Sequence, residues 1–463
     1  MSSASESTRD SPVDKGGSSF DKGGSSIVGR GKRDGNRLFQ EWYQELGTAA
    51  ERNEHSAYVF VMGSLTEIMR SFGIHTVFPE INGLQQAVRR VSGDDIGLAE
   101  DYGFSADVCG YLKADVGLQL RGGEHPMGKI PPPSLSVHTN ACNTYIKWAE
   151  IWERMYKVPI FTLDIPGTRA AGRQTWPGQV DFENDRKYVA GQINEVIHLC
   201  EQITDKKLDL DKLREAMTHT NTMSRKWKRL IELNKSSPAV YNAMTDGTVF
   251  LGVMNGYRGR PEGAEYFTDL VEEMEYKAAN GIGTAFEEKY RLAFVGIPCY
   301  PIFRGFSEMF TEWGGSFVGS SYLWYASGGA NLGYQYDLDH PLESLAEGLL
   351  VTVRESMDSM FFSDRSLIEM VEPYGIDGVV YHSVKSCRTV STGLADNRRA
   401  VMEATDVATL FMESDHMDKR VVSEAQLKNR VDAFFEGLAV RSQRRISNAA
   451  APGQSLRARG GHR

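Results

Sequence analysis

Three cysteines stand where a doubly wound α/β protein carries its functional groups. Cys109 lies in YGFSADVCGYLKADVG, Cys142 in SVHTNACNTYIKWAEIWERMY and Cys387 in DGVVYHSVKSCRTVS. Each follows a polar or strand-like run and precedes a helical pattern or a basic residue. Strand C-termini and helix N-termini of such folds face a shared crevice. Backbone N–H groups there can donate to sulfur, and the positive helix end lowers a thiol's pKa. Zinc prefers four ligands in close pairs, and the chain has no CxxC. A cubane 4Fe–4S cluster normally takes four thiolates; held by three, it keeps one iron open to a substrate oxygen or water. Separations of 33 and 245 positions form no readable motif, so on the residues alone three unrelated buried cysteines are the plainer reading. Cys200, in the amphipathic QINEVIHLCEQI, and Cys299, between prolines in VGIPCYP, read as core packing.

For the three thiols to meet, the elements around them must bring strand ends together. At 463 residues the chain exceeds one ordinary core. Its 41% hydrophobic, 24% charged and 10% aromatic residues are those of a globular protein. A net charge of −9 lacks the basic footprint of a nucleic-acid binder, so an anionic ligand would need a local basic pocket. Without a signal-peptide h-region or an apolar run of membrane-spanning length, a cytoplasmic protein with no membrane partner is expected. Five cysteines are an odd, sparse set for a disulfide framework.

Residues 1–36, with DKGGSS at 14–19 and again at 21–26, predict a disordered tail, as does 447–463. Between them, strand patterns at 56–64, 75–79, 134–140 and 158–166 alternate with helical patterns at 38–52, 65–72, 83–91 and 144–156, predicting a first α/β lobe over 37–205. Helical patterns at 187–200 and 210–233, the latter preceded by Asp205 and Asp209, lead into a helical connector over 206–288. YRLAFVGIPCYP (290–301) then opens a second lobe, 289–446, much as SAYVFVMGS opens the first: a strand into a Gly turn. The expected fold is two Rossmann-like doubly wound parallel-sheet lobes joined by helices, with a cleft between them.

The words around the thiols, together with FPEINGLQQAVRR (78–90), LQLRGGEHPMG (118–128), AEIWERMYKVPIFTLDIPGTR (149–169), HSVKSCR (382–388) and ESDHMDKRVVSEAQLKNRVDAFFE (413–436), resemble the 2-hydroxyacyl-CoA dehydratase and benzoyl-CoA reductase family. Within it the chain is most similar to the B-type (O-type) subunits of the ATP-dependent reductases, over residues 38 to 440. The resemblance implies two Rossmann-like lobes and a 4Fe–4S cluster with three cysteine ligands, here Cys109, Cys142 and Cys387. It also implies a homologous cluster-carrying subunit, an ATP-hydrolysing iron–sulfur activator that binds the ATP itself, and a ferredoxin-like donor. The implied reaction delivers low-potential electrons singly to an aromatic acyl-CoA and yields a cyclic dienoyl-CoA. The dehydratase branch uses the same electron as a catalyst, by ketyl-radical chemistry, and is the alternative within the family. A two-lobed ligand-binding protein without redox chemistry is the alternative outside it.

Other residues invite roles beside plainer ones. His382, five positions before Cys387, is a candidate proton donor or a structural histidine. Arg121, His125 and Lys129 flank a Gly-Gly turn and, with Arg169 and Arg173, are candidates for the phosphates of coenzyme A, or belong to solvated loops. Asp415 and Asp418 resemble a metal pair but suit capping and turn roles better.

Overall fold

The computed structural model describes residues 27–167, 177–284, 287–361 and 365–450. Residues 1–26 and 451–463 of the predicted tails 1–36 and 447–463, with Arg169 and Arg173, lie outside these residues. Two four-stranded parallel sheets carry the fold. The first takes β1 (Ser56–Tyr58), β2 (His75–Val77) and, after the antiparallel hairpin β3 (Glu124–His125) and β4 (Gly128–Lys129), β5 (Leu135–Thr139) and β6 (Ile160–Leu163). The second takes β7 (Tyr290–Gly296), β8 (Gly315–Ser320), β9 (Gly378–Val384) and β10 (Ala408–Ser414). The orders are β2-β1-β5-β6 and β10-β9-β7-β8. Counted by order of appearance within its own sheet, the first runs second, first, third, fourth and the second runs fourth, third, first, second, which is the same order read from the other edge. The two sheets are one topology used twice, and no helix among the described residues is long and apolar enough to cross a membrane.

Sequence periodicity placed most strands but misjudged some lengths. SAYVFVMGS pairs as a strand only through Tyr58, and Val59 still donates to the Val77 carbonyl. The ladder ends because the Val61 N–H is taken by the Glu80 carboxylate, 3.0 Å away. Helix Arg30–Arg52 begins inside the expected N-terminal tail: its apolar stripe, Leu38, Trp42, Leu46 and Ala49, is buried against the helices Thr245–Gly256 and Pro261–Ala279. The buried Glu273 carboxylate accepts from the N–H groups of Gly29 and Gly31, which would otherwise be unpaired at the helix start. The closing helix likewise runs on through Glu424–Ala450, beyond the expected boundary at 446. Leu210–Leu233 forms where expected, with Asp209 accepting from the N–H groups of Asp211 and Lys212 at its start. β10 and the helices Ser92–Tyr102 and Leu394–Ala404 were not anticipated, because their apolar residues are too few for a clean period.

Candidate functional site

The C-terminal ends of the two sheets face one cavity of about 50 Å³, and Cys109, Cys142 and Cys387 all line it. Its other walls come from the segment after β1 (Val61, Met62), the segment after β7 (Ile297), the turn after β8 (Tyr322, Tyr325) and the helix after β2 (Glu80). This is the crevice that doubly wound sheets offer at the point where their connections diverge.

Each cysteine immediately precedes a helix: Gly110–Leu120, Asn143–Tyr156 and Arg388–Ser391. The N–H groups of Leu112 and Tyr111 point at the Cys109 sulfur, and that of Val390 at Cys387. The Cys142 sulfur sits 3.1 Å from the Thr389 hydroxyl, so a thiol of the first lobe touches the turn that carries the thiol of the second. Ser386 completes the joint: its hydroxyl accepts from the Gly110 N–H at 3.2 Å, and its own N–H donates to Asp415 at 3.0 Å. Gly110 is glycine for steric reasons, since a Cβ there would meet the Met417 side chain at 2.6 Å.

The expectation of lowered thiol pKa is reversed at Cys109 and Cys387. Burial pushes Cys109 well above the ordinary thiol range, and the charges of Cys387 and Cys142 push it further. Cys387 is pushed up to about 12 by burial and by Cys142. Helix ends and N–H donors do not offset desolvation and mutual repulsion in an apolar hollow. Deprotonating these thiols together there needs a compensating positive charge, which makes the site a poor nucleophile. Among the described residues no three His, Cys, Asp or Glu side chains are arranged around a single metal ion.

Glu80 was missed by sequence reasoning. Its carboxyl lines the thiol cavity, accepts from the Tyr145 hydroxyl at 2.6 Å and the Val61 N–H at 3.0 Å, and is pushed by burial up to about 7. The available signal was its address: an acidic residue just beyond a strand, after Pro79 at the first position of the helix Pro79–Val88. His416 was also missed. It is fully buried edge-on to Tyr111, with neither ring nitrogen in a hydrogen bond and Nδ1 3.5 Å from Asp415.

The remaining candidates lie elsewhere. His382 is buried in β9, donates from Nδ1 to the Ile297 carbonyl at 2.5 Å and lies 2.6 Å from the Ser414 hydroxyl through Nε2. Burial lowers it to about 4, and it does not line the cavity. Arg121 holds Asp95 through two bonds of 2.7 and 2.9 Å. His125 stacks on Tyr43, donates to the Asn82 carbonyl and accepts from the Met127 N–H. Lys129 is exposed on the hairpin beside Glu124. The Asp415 carboxylate accepts from the N–H groups of Met417 and Asp418, and Asp418 caps the turn at Arg420, as their turn and capping reading expects. Burial works against the charge of Asp415, yet His416, the Ser386 side chain and the Met417 N–H hold it below the ordinary carboxylate range. Cys200 and Cys299 are fully buried packing residues.

Residues 62–438 match the model of the family described as 2-hydroxyglutaryl-CoA dehydratase, D-component. The chain is 32% identical over 411 residues to a benzoyl-CoA reductase subunit from Thauera aromatica, covering 85% of this chain and 91% of that one. It is 27% identical over 388 residues to the (R)-2-hydroxyisocaproyl-CoA dehydratase alpha subunit of Clostridioides difficile, covering 81% and 88%. To the alpha subunit of (R)-2-hydroxyglutaryl-CoA dehydratase of Acidaminococcus fermentans it is 23% identical, covering 88% and 97%.

Proposed function

Because the chain belongs to the 2-hydroxyglutaryl-CoA dehydratase, D-component family, we propose that it is the cluster-carrying subunit of an ATP-dependent aromatic acyl-CoA reductase. In this reading Cys109, Cys142 and Cys387 hold a 4Fe–4S cluster, and the substrate is benzoyl-CoA or a close aromatic analogue. One observation supports it above the others: three thiols far apart in sequence line a single apolar cavity where two sheets face each other. When bound, the cluster supplies single electrons of low potential.

The chain's own residues do the rest. Thr389 and the N–H groups of Leu112, Tyr111 and Val390 stabilise negative sulfur. Phe60, stacked at 3.7 Å on Tyr145, and Trp148 back the cavity and keep water from the thiols. Glu80, whose carboxyl burial raises to about 7, keeps a titratable proton beside the thiols near neutral pH. The relatives are named as subunits, which supports a hetero-oligomer; in this reading its other parts are a homologous subunit, an activator that hydrolyses ATP and a ferredoxin-like donor, all in the cytoplasm.

Anaerobic purification of the full chain with its co-expressed partner subunit tests the reading. Brown protein with about four irons per chain, reducing benzoyl-CoA when activator and ATP are added, is the expected result. Turnover of a 2-hydroxyacyl-CoA instead assigns the chain to the dehydratases. A colourless preparation that stays iron-free after reconstitution removes the cluster, and the redox function with it.

A further inference from the structure

A second, larger hollow of about 430 Å³ lies against the thiol cavity, and Val61 and Tyr322 line both. This size falls within the roughly 300–1,000 Å³ of small-molecule sites. It opens between the helices Arg30–Arg52, Pro79–Val88 and Thr245–Gly256, which contribute Phe39, Leu84, Val249 and Leu251 to an apolar lining. Arg89 is the one charged residue among those that line it, and it sits at the exposed rim beside Val88, itself 39% exposed. The other sizeable hollow next to the thiols, which shares Tyr325 and Val390 with them, is lined by Lys228, Glu232, Lys235 and Glu369 and offers an apolar group far less.

We infer that the 430 Å³ hollow takes the acyl end of the thioester, with an uncharged apolar acyl group against Val61 and Tyr322 and the coenzyme's phosphates at Arg89. The inference rests on the proposed acyl-CoA function and narrows it to one class of substrate. An acyl carboxylate is rejected, because the inner walls provide no cation and burying an unpaired carboxylate is costly. Arg89 forms no ion pair among the described residues and is available to an anion at the mouth. Val61 and Tyr322 are then specificity residues, separating the acyl group from the thiol cavity by one layer of side chains.

The test is equilibrium binding, by calorimetry on the purified full chain, of benzoyl-CoA, glutaryl-CoA and free coenzyme A. Benzoyl-CoA is expected to bind roughly tenfold or more tighter than glutaryl-CoA, the discrimination set by the buried carboxylate. Thr248→Trp, which fills the hollow, is expected to remove that advantage. Arg89→Gln should weaken benzoyl-CoA and free coenzyme A alike, by about 3- to 10-fold. Should Thr248→Trp lose the wild-type circular dichroism or melting temperature, Val88→Glu repeats the test at an exposed rim position by repelling the phosphates. Equal affinity for glutaryl-CoA, or wild-type binding by the folded variants, overturns the inference. Iron is measured on the same samples. Iron-loaded protein whose binding ignores the hollow refutes the pocket alone, whereas iron-free protein that binds through the hollow refutes the cluster alone.

Discussion

The two sheets repeat one topology, and two of the three thiols occupy the same address in it. Cys142 lies three positions beyond the end of β5, the third strand of its sheet, and Cys387 three positions beyond β9, the third strand of the other. Both first strands run toward a glycine with positive φ, Gly63 at 88° and Gly296 at 122°. Cys109 has no counterpart cysteine. It enters from the connection between β2 and β5, at the start of the helix Gly110–Leu120. The repeated crevice thus supplies one sulfur from each sheet, and the connection between the second and third strands of the first sheet adds the third. What differs is the support: Cys142 heads a helix of 14 residues, while Cys387 heads a single turn and depends on Ser386, Asp415 and the Gly110 N–H.

If the two addresses are equivalent, Cys142→Ser and Cys387→Ser should each drop iron to below roughly a tenth of wild type, since a cubane loses one of only three protein ligands. Melting of each apo variant should match the apo wild type. Full iron retention in either variant breaks the equivalence and the ligand assignment together.

The glycines sharpen the comparison at the level of backbone. A Cβ on Gly296 would overlap the His382 carbonyl oxygen, which belongs to a central strand and cannot move freely; one on Gly63 would meet the Thr139 methyl at 2.6 Å. Gly296→Ala is therefore expected to destabilise by about 3 kcal/mol or more and Gly63→Ala by about 1–2 kcal/mol, measured by urea unfolding. Equal costs would mean that the two turns are more alike than their surroundings indicate.

The lobes differ again just past the second strand of each sheet, where Glu80 stands after β2 and Ser321 after β8. The Glu80 carboxyl, raised by burial to about 7, binds its proton more tightly folded than unfolded. Its ionisation therefore costs stability above pH 7, and the cost is relieved as pH falls through 7 toward about 4.5. Between pH 8 and pH 5 the stability of wild type should gain on that of Glu80→Gln by on the order of 2 kcal/mol, half or more of a shift of that size at 1.36 kcal/mol per unit. A pH-independent difference between the two would place the proton elsewhere.

Much of this was legible in the chain itself. Alternating apolar runs with β-branched residues identified the parallel strands, and the word SAYVFVMGS echoed in YRLAFVGIPCYP announced the repeated first strand. The address of the cysteines followed from local pattern, because strand, turn and helix are short-range. Their convergence did not: hydrophobic periodicity records which face is buried, not which residues 245 positions away lie beyond that face. The same limit hid Glu80. Nothing local in FPEINGLQQAVRR distinguishes a carboxylate that ends the β1 ladder at Val61 from one that decorates a helix start. Conversely, His382 and Arg121 drew notice by residue type, and only their neighbours, Ile297, Ser414 and Asp95, show where their polar atoms are committed. Sequence determined the elements and the residue types at their ends. Tertiary structure decided which ends meet, and burial there set the thiol and carboxyl pKa values, because desolvation depends on everything packed around a group.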